Sequence, residues 1–287
     1  MKDRALSTIT LWAAVGAFIW IGSLFSASQI FAFGILAALT AIAQWEFYKL
    51  SESCNEQPNK TQGIIIGLIY LFFVFFFSPD DYRNSIFPIA PATVIGIHLL
   101  NLLRNPFDRP LLLRKMPTFY GFLYIPFMLS FLAFIAKLNI GTGLTQKSIG
   151  LACVVWVVVA TKFTDVGGLV IGTLFGKHKI APSISPAKSW EGCAGGLVFS
   201  AAASALFAWA VSAAGFEFMS PLRSAILALP IAIVSIPSDL VESVFKRQST
   251  FKDSGHTIPG IGGALDLIDS LILTAPLGFV ILSYWYN

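Results

Sequence analysis

The chain has 287 residues, of which 56% are hydrophobic and only 12% are charged, and its mean hydropathy is +0.75. Such a composition excludes a soluble globular domain and predicts a polytopic membrane protein. The formal net charge is +4, and we expect no nucleic acid among the partners. The three cysteines are isolated and lack metal-ligand spacing, so they predict neither a disulfide framework nor a zinc site.

Long apolar runs recur along the chain. A helix needs about 20 apolar residues to cross the hydrocarbon of a bilayer, whereas a β-barrel strand would alternate apolar and polar residues. The runs are continuously apolar, so we predict an all-α polytopic membrane protein with about nine transmembrane helices. We treat residues 1–287 as one integral-membrane domain, with N-terminal helices in 1–148 and the polar segments in 149–287. The predicted spans are residues 6–25, 29–50, 63–77, 86–103, 117–136, 149–160, 193–214, 224–244 and 265–286.

The first span resembles a cleaved signal peptide in its flanks, because Lys2 and Arg4 precede it and small residues follow at 26–28. Its apolar run is longer than the roughly 7–15 residues of a signal-peptide core. We therefore expect an uncleaved first helix.

Lysine and arginine are distributed unequally between the two sides of these spans. Of the 19 basic residues, 15 fall on the side of the N-terminus, and only Arg83, Lys137, Lys147 and Arg223 fall on the other. The positive-inside rule then puts the N-terminus in the cytoplasm and the C-terminus outside. The same rule puts the polar segments 161–192 and 237–270 in the cytoplasm, where they can form one site.

The segment 161–192 mixes glycines with lysines, serines and prolines. Gly168, Gly172 and Gly176 recur every four residues, which is typical of close helix packing. The part after Gly176 is rich in donors suited to phosphate oxygens, but it has neither the P-loop spacing nor the dinucleotide-fold spacing. Asp165 is a candidate metal ligand or nucleotide contact, and its alternative interpretation is an ion pair with Lys162 at the end of a helix.

The segment 237–270 is the most highly charged part of the chain. Asp239, Glu242 and Lys246 are spaced i, i+3 and i+7, which places them on one helical face. A Gly/Pro-rich turn over 255–263 precedes the last span, whose first turn carries Asp266 and Asp269. Acids so close together repel one another unless cations lie among them. Mg²⁺ with phosphate oxygens is one solution; a structural ion-pair network and a transport pathway are the alternatives.

These spacings resemble the signature of the CDP-diacylglycerol synthases, also called phosphatidate cytidylyltransferases, which is S-x-x-K-R-x4-K-D-x-G-x2-[LIF]-P-x-H-G-G-x2-D-R-x-D. The preceding SDLVES and the segments TDVGG, FGKHKIAPSISP and SPAKSWEG are also similar to that family. The resemblance covers the C-terminal half by motif and the rest by topology. Signature residues present in register are Ser243, Lys246, Arg247, Lys252, Asp253, Gly255, Ile258, Pro259, Gly262, Gly263, Asp266 and Asp269.

The resemblance implies that CTP and phosphatidate react to give CDP-diacylglycerol and pyrophosphate. It implies an Mg²⁺ cofactor and an active site on the cytoplasmic face of the plasma (inner) membrane, and the sequence is compatible with a homodimer. The implied catalytic residues are Lys246, Arg247, Lys252, Asp253, Asp266 and Asp269. The implied metal ligands are Asp253, Asp266 and Asp269, with Asp239 and Glu242 as ligands or neighbours of ligands. The implied substrate-binding residues are Asp165, Ser185, Lys188, Ser189, Glu191 and Ser243.

Two positions depart from the family signature, because Ile261 replaces the usual His and Leu267 replaces the usual Arg. A related CTP-dependent lipid enzyme, such as a CDP-archaeol synthase or a polyprenol kinase, is the nearest alternative. An inactive paralogue and an ion-coupled transporter are the others. A transporter predicts intramembrane carboxylates at matching places in two halves, whereas the acids here cluster in the C-terminal half.

Overall fold

The computed structural model describes residues 28–77, 109–138, 144–215, 218–249, 255 and 262–286. Two of the predicted spans, 6–25 and 86–103, lie outside these residues. The described part of the chain is helical apart from one short β-hairpin.

Eight α-helices, a π-helical turn and two strands follow one another along the described residues. Strands β1 and β2 are antiparallel, with Lys179 opposite Ser189 and Ala181 opposite Ser185. The helices are α1 Ser28–Ser53, α2 Lys60–Phe77, α3 Arg109–Phe122, α4 Met128–Ala136, α5 Leu144–Phe175, α6 Trp190–Ala213, α7 Pro221–Gln248 and α8 Ala264–Tyr286; the π-helical turn is Leu123–Phe127, β1 is Lys179–Ala181 and β2 is Ser185–Ser189.

Seven helical stretches within the described residues are long and apolar enough to cross a membrane. Each corresponds to one of the predicted spans, so the expectation of a helical membrane protein is confirmed. The hairpin is the one departure from an all-α chain among the described residues. The seven stretches are Ile30–Ser53, Lys60–Phe77, Met116–Ala136, Ile149–Phe175, Trp190–Ala213, Pro221–Gln248 and Ala264–Tyr286.

The polar segment 161–192 differs from the continuous loop that its composition suggests. Helix α5 continues through 161–175, and only the hairpin separates it from α6. Gly167, Gly168 and Gly172 do not end the helix, and they lie where α5 packs tightly against α6. The polar residues of 161–175 therefore project from a rigid helix.

The described residues belong to two compact units. The first unit comprises Met1–Ser130 and Gln248–Ile268, and the second comprises Phe131–Arg247 and Asp269–Asn287. Both contain buried polar side chains, and these are described separately below.

In the first unit, the buried side chain of Tyr48 joins α1, α2 and α3. Its hydroxyl donates to the carbonyl oxygen of Thr118 at 2.9 Å, and Gln44 donates to the carbonyl oxygen of Gly63 at 3.3 Å. A Cβ atom at Gly63 or at Gly121 would collide with the Tyr48 ring. The two glycines thus make room for an aromatic side chain whose polar tip is satisfied by backbone, as buried hydroxyls require.

In the second unit, α5 and α6 pack along a seam of small residues. A Cβ atom at Gly167 would lie 2.8 Å from the carbonyl oxygen of Gly195, and one at Gly196 would lie 2.8 Å from that of Thr164. Small residues let helix backbones approach this closely, which is the usual basis of helix association in membranes. The close packing predicted from Gly168, Gly172 and Gly176 is present at the first two, whereas Gly176 follows the end of α5. The seam holds the polar end of α5 in place.

Candidate active site

Two acids of the candidate site project from the last turns of α7. Glu242 is completely buried and forms an ion pair with Lys246, one turn later on the same helix. Asp239 lies one turn before Glu242, and its side chain remains 26% exposed. The predicted common face of these three residues is therefore present on a regular helix.

The β-hairpin brings a lysine to this face. Lys188 of β2 contacts Asp239 with 2.7 Å between Nζ and Oδ2, and it also donates to the carbonyl oxygen of Ile236 at 3.3 Å. At the other end of β2, Arg247 donates from Nε to the carbonyl oxygen of Ile184 at 3.0 Å. Two basic side chains thus fix the hairpin to the C-terminal part of α7.

Helix α8 contributes Asp269, whose residue is only 8% exposed. The hydroxyl of Ser238 donates to the backbone carbonyl oxygen of Asp269 and accepts from the N–H of Leu273 at 3.3 Å. These two bonds fasten α7 to α8 through one buried serine. They leave the Asp269 carboxylate directed towards the acids of α7, so that oxygens of Asp239, Glu242 and Asp269 lie within 4.8 Å of one another.

Helix α5 adds a lysine and a fourth acid. The Nζ atom of Lys162 lies 3.3 Å from Oδ2 of Asp165 and 3.7 Å from Oδ1 of Asp269, and it donates to Ser270 at 2.7 Å. Ser270 in turn donates to Asp165 Oδ2 at 2.9 Å. The ion pair between Lys162 and Asp165 that the sequence offers as an alternative is present, and it is part of the site.

We define the ionic cluster as these four carboxylates and three ammonium groups: Asp165, Asp239, Glu242, Asp269, Lys162, Lys188 and Lys246. Their formal charges sum to minus one. All four acids lie on helices that are candidate membrane spans, where charged groups are costly and usually functional. Opposed charges therefore compensate most of the cluster, and a formal charge of minus one remains.

The acids of the cluster have the chemistry that a magnesium ion requires. Mg²⁺ binds oxygen ligands at about 2.0–2.1 Å and uses one or two carboxylates together with water and phosphate oxygens. Two ligand oxygens on one ion are then at most about 4.2 Å apart. The oxygens of Asp239, Glu242 and Asp269 lie within 4.8 Å of one another, which is close to that spacing.

Three predicted substrate-binding residues support the hairpin and the start of α6. Ser189 is the N-cap of α6 and accepts from the N–H of Gly192 at 3.1 Å. Glu191 accepts from the backbone N–H groups of Lys177 and His178 at 3.2 Å. Ser185 begins β2. These contacts give all three a structural position, and their role in binding a substrate stays a prediction.

The remaining predicted residues belong to the signature segment. Asp266 accepts from the N–H of Gly263 at 2.6 Å at the start of α8, and Ser243 is half-buried on α7. Lys252, Asp253 and Ile261 lie outside the described residues. Roles in catalysis or metal binding for these residues remain predictions.

Three members of the site are absent from the residues assigned by sequence: Lys162, Ser238 and Ser270. The signal for Lys162 was its i, i+3 spacing to Asp165, which predicts a pair but not the additional contact with Asp269. Ser238 directly precedes and Ser270 directly follows a candidate metal ligand, Asp239 and Asp269 respectively. Their roles depend on the packing of α5, α7 and α8, which local spacing does not encode.

Comparison with known proteins gives consistent results. A sequence model of the Cytidylyltransferase family matches residues 2–285. A phosphatidate cytidylyltransferase of Haemophilus influenzae is 28% identical over 295 aligned positions, which cover 100% of this chain and 98% of that protein. That of Rickettsia typhi is 36% identical over 57% of this chain and 69% of its own length. That of Pseudomonas aeruginosa is 41% identical over 47% of this chain and 48% of its own length.

Proposed function

Because this chain belongs to the cytidylyltransferase family, we propose that it is a phosphatidate cytidylyltransferase, which converts CTP and phosphatidate into CDP-diacylglycerol and pyrophosphate. The observation that carries the proposal is the similarity to the Haemophilus influenzae enzyme over essentially the full length of both chains. The ionic cluster supports it, because a reaction between two polyanions needs cationic and metal-binding groups at the edge of a bilayer.

The chemistry balances without a protein base. A phosphate oxygen of phosphatidate forms a bond to the α-phosphorus of CTP, and the bond from that phosphorus to the oxygen bridging to the β-phosphate breaks. Pyrophosphate leaves with the electron pair of the broken bond. The attacking oxygen is already ionised at neutral pH, so bringing the two anions together and in line is the larger task.

Asp239, Glu242 and Asp269 would hold Mg²⁺, with Asp253 and Asp266 as further candidate ligands from the signature. Such an ion would supply positive charge that offsets the negative charge of the phosphate groups. Lys162 keeps the carboxylates of Asp165 and Asp269 turned towards one another, with Nζ 3.3 Å and 3.7 Å from their oxygens. It thereby limits the repulsion between two acids on different helices.

The basic residues of the signature bind phosphate groups in this proposal. Lys246 and Arg247 lie at the end of α7, and Lys252 follows them in sequence. Lys188 holds Asp239 at 2.7 Å, and a phosphate of CTP would share this lysine with the acid. Lysine suits such a role, since its three donors rotate freely around a point charge.

We also propose the finer topology that the basic residues predict. The chain has about nine transmembrane helices, with the N-terminus and the active site at the cytoplasmic face of the inner membrane. This position lets the acyl chains of phosphatidate stay in the bilayer while its headgroup meets a water-soluble nucleotide. Cysteine substitution at Lys2 and at Tyr286, followed by labelling with an impermeant thiol reagent, tests it. Labelling of both ends from the outside would contradict it.

The decisive experiment incubates the purified full-length protein in detergent with labelled CTP, phosphatidate and Mg²⁺. We expect release of pyrophosphate together with a lipid-soluble cytidine product. An archaeal-type ether phospholipid precursor and a polyprenol, offered in parallel, separate the two related lipid activities. A polyprenol kinase would release CDP rather than pyrophosphate.

A wild-type protein that is folded but inactive towards every lipid offered would overturn the proposal in favour of an inactive paralogue or a transporter. Replacement of Mg²⁺ by EDTA tests the metal separately. Turnover that is unchanged by chelation would refute the metal assignment while leaving the transferase assignment intact.

A further inference from the structure

Glu46 is a buried carboxylate in the first unit, in a part of the chain that the family signature does not include. It lies on α1 within the candidate span Ile30–Ser53, and the residue is only 3% exposed. A buried carboxylate is costly unless polar groups surround it. Its position therefore needs an explanation from its contacts.

One carboxylate oxygen of Glu46 contacts the start of α8. Its Oε2 atom accepts from the N–H of Leu265 at 2.8 Å. The first N–H groups of a helix have no partner within the helix, and a negative charge there is favoured by the helix dipole. Glu46 thus accepts from the otherwise unpartnered N–H of Leu265, the residue immediately before the predicted metal ligand Asp266.

The other oxygen of Glu46 lies next to Gly255. A Cβ atom at Gly255 would collide with Oε1 and would lie 2.8 Å from Cδ, and the three nearest atoms to that position all belong to Glu46. The backbone of Gly255 is not in the left-handed region, so its conformation alone is open to alanine. A side chain at this position would therefore have to displace the Glu46 carboxylate.

A third contact joins the same helix to Ser249, which lies just after α7. The hydroxyl of Ser53 lies 3.3 Å from the carbonyl oxygen of Ser249, which is buried. Helix α1 therefore contacts the segment at Ser249, Gly255 and Leu265. Glu46 makes the two of these contacts that are closest in sequence to Asp253 and Asp266.

We propose that Glu46 is a positioning residue that holds Gly255 and the first turn of α8, and so sets the direction of the Asp266 carboxylate. The proposal rests on the proposed function for its catalytic consequence. Asp266 is itself held by the N–H of Gly263 at 2.6 Å, next to Gly262, which has φ of 126°. A shift of Leu265 would therefore also move Asp266 and its hydrogen bond with Gly263.

The first test compares Glu46→Ala with Glu52→Ala in the full-length protein in detergent. Glu52 lies on the same helix and pairs with Lys60 at 2.6 Å, with its side chain 46% exposed, so it is a matched control. We expect Glu46→Ala to lower kcat by about thirtyfold, with KM for CTP changed less than about threefold. Glu52→Ala should retain wild-type kinetics.

Hydrogen–deuterium exchange gives a readout that does not depend on activity. In Glu46→Ala, the peptide containing Leu265 should exchange at least about tenfold faster, because the amide loses its acceptor. A peptide from α5 should be unchanged. If wild type has no transferase activity, the proposed function fails, but this exchange result still tests the contact.

The second test is a double-mutant cycle between Glu46 and Gly255. Gly255→Ala should lower kcat by about tenfold in wild type, and by less than about twofold in the Glu46→Ala background, because the collision is then relieved. Fold-changes that multiply would show that the two residues act independently and would overturn the proposal. Unchanged exchange at Leu265 would overturn it as well.

Glu46→Gln covers the case in which the alanine variant does not fold, since it keeps the side-chain length and one acceptor oxygen. We expect it to fold and to show a smaller loss of kcat than alanine. If neither variant yields folded protein while Glu52→Ala does, Glu46 serves folding alone and the positioning role is refuted.

Discussion

Each of the two units buries polar side chains in apolar helices, but it satisfies them differently. In the first unit, Tyr48 and Gln44 are neutral and bind backbone carbonyl oxygens. In the second unit, the ionic cluster pairs carboxylates with ammonium groups, as between Asp239 and Lys188. These neutral side chains carry no net charge that needs balancing, whereas an ionic cluster with unequal charges attracts a charged ligand. The comparison teaches that the neutral side chains of the first unit join helices through backbone, whereas the charged side chains of the second unit leave a net charge among buried helices.

The largest expected effect is in the ionic cluster. Asp269→Asn should lower turnover by at least about a hundredfold, because it removes a carboxylate charge that faces Lys162 and the acids of α7. The contact of Ser238 with the backbone oxygen of Asp269 is retained, so folded protein should be recovered. Turnover and thermal unfolding in detergent measure the two outcomes. Near-wild-type turnover would refute a role for the Asp269 carboxylate in metal binding.

Asp266→Asn should also abolish turnover while folded protein remains. Asn keeps an oxygen that accepts from the N–H of Gly263, so the start of α8 is preserved and only the charge is lost. Loss of turnover by about a hundredfold would support a metal-ligand role. A variant with full activity would limit Asp266 to capping.

A smaller effect is expected for Lys246→Ala at the end of α7. The variant loses a proposed phosphate contact, and KM for at least one substrate should rise by about tenfold. It also removes the ion-pair partner of the buried Glu242, so the unfolding temperature should fall. Michaelis constants and turnover that both match wild type would refute the phosphate role. Lys246 would then have a structural role only, like Tyr48 in the first unit.

Tyr48→Phe tests the neutral side of the comparison. It removes the hydrogen bond to the carbonyl oxygen of Thr118 and should lower the free energy of unfolding by about 1–2 kcal/mol. Turnover per folded molecule should stay within about twofold of wild type. A selective loss of turnover without loss of stability would show that Tyr48 contributes to the reaction as well as to folding.

The smallest effect is expected at Ile261, where the family usually has His. Ile261→His should change turnover by less than about tenfold, or roughly 1.4 kcal/mol of barrier. The attacking phosphate oxygen is already ionised, so an added imidazole supplies little. A much larger gain, measured with the same assay, would show that a general base limits this chain.

The helical fold and much of the site could be predicted because both depend on local patterns. Apolar runs predicted each of the seven candidate spans, and the i, i+3 and i+7 spacing predicted the common face of Asp239, Glu242 and Lys246. Continuation of α5 to Phe175 was not predictable from composition, since glycine and polar residues usually weaken a helix. The contact of Lys162 with Asp269 joins residues more than a hundred positions apart, and only the packing of α5 against α8 produces it.

The glycine seam between α5 and α6 has a consequence for how this protein tolerates mutation. At Gly167 and Gly196 the gap to the opposite backbone is smaller than one methyl group, so even alanine does not fit without separating the helices. In a saturation library, every substitution at these two positions should be depleted, whatever its hydrophobicity. Asp165 lies on α5 beside Thr164, which faces Gly196. In a deep mutational scan, substitutions of Asp165 and substitutions of the glycines that set the spacing of its helix should therefore be depleted together.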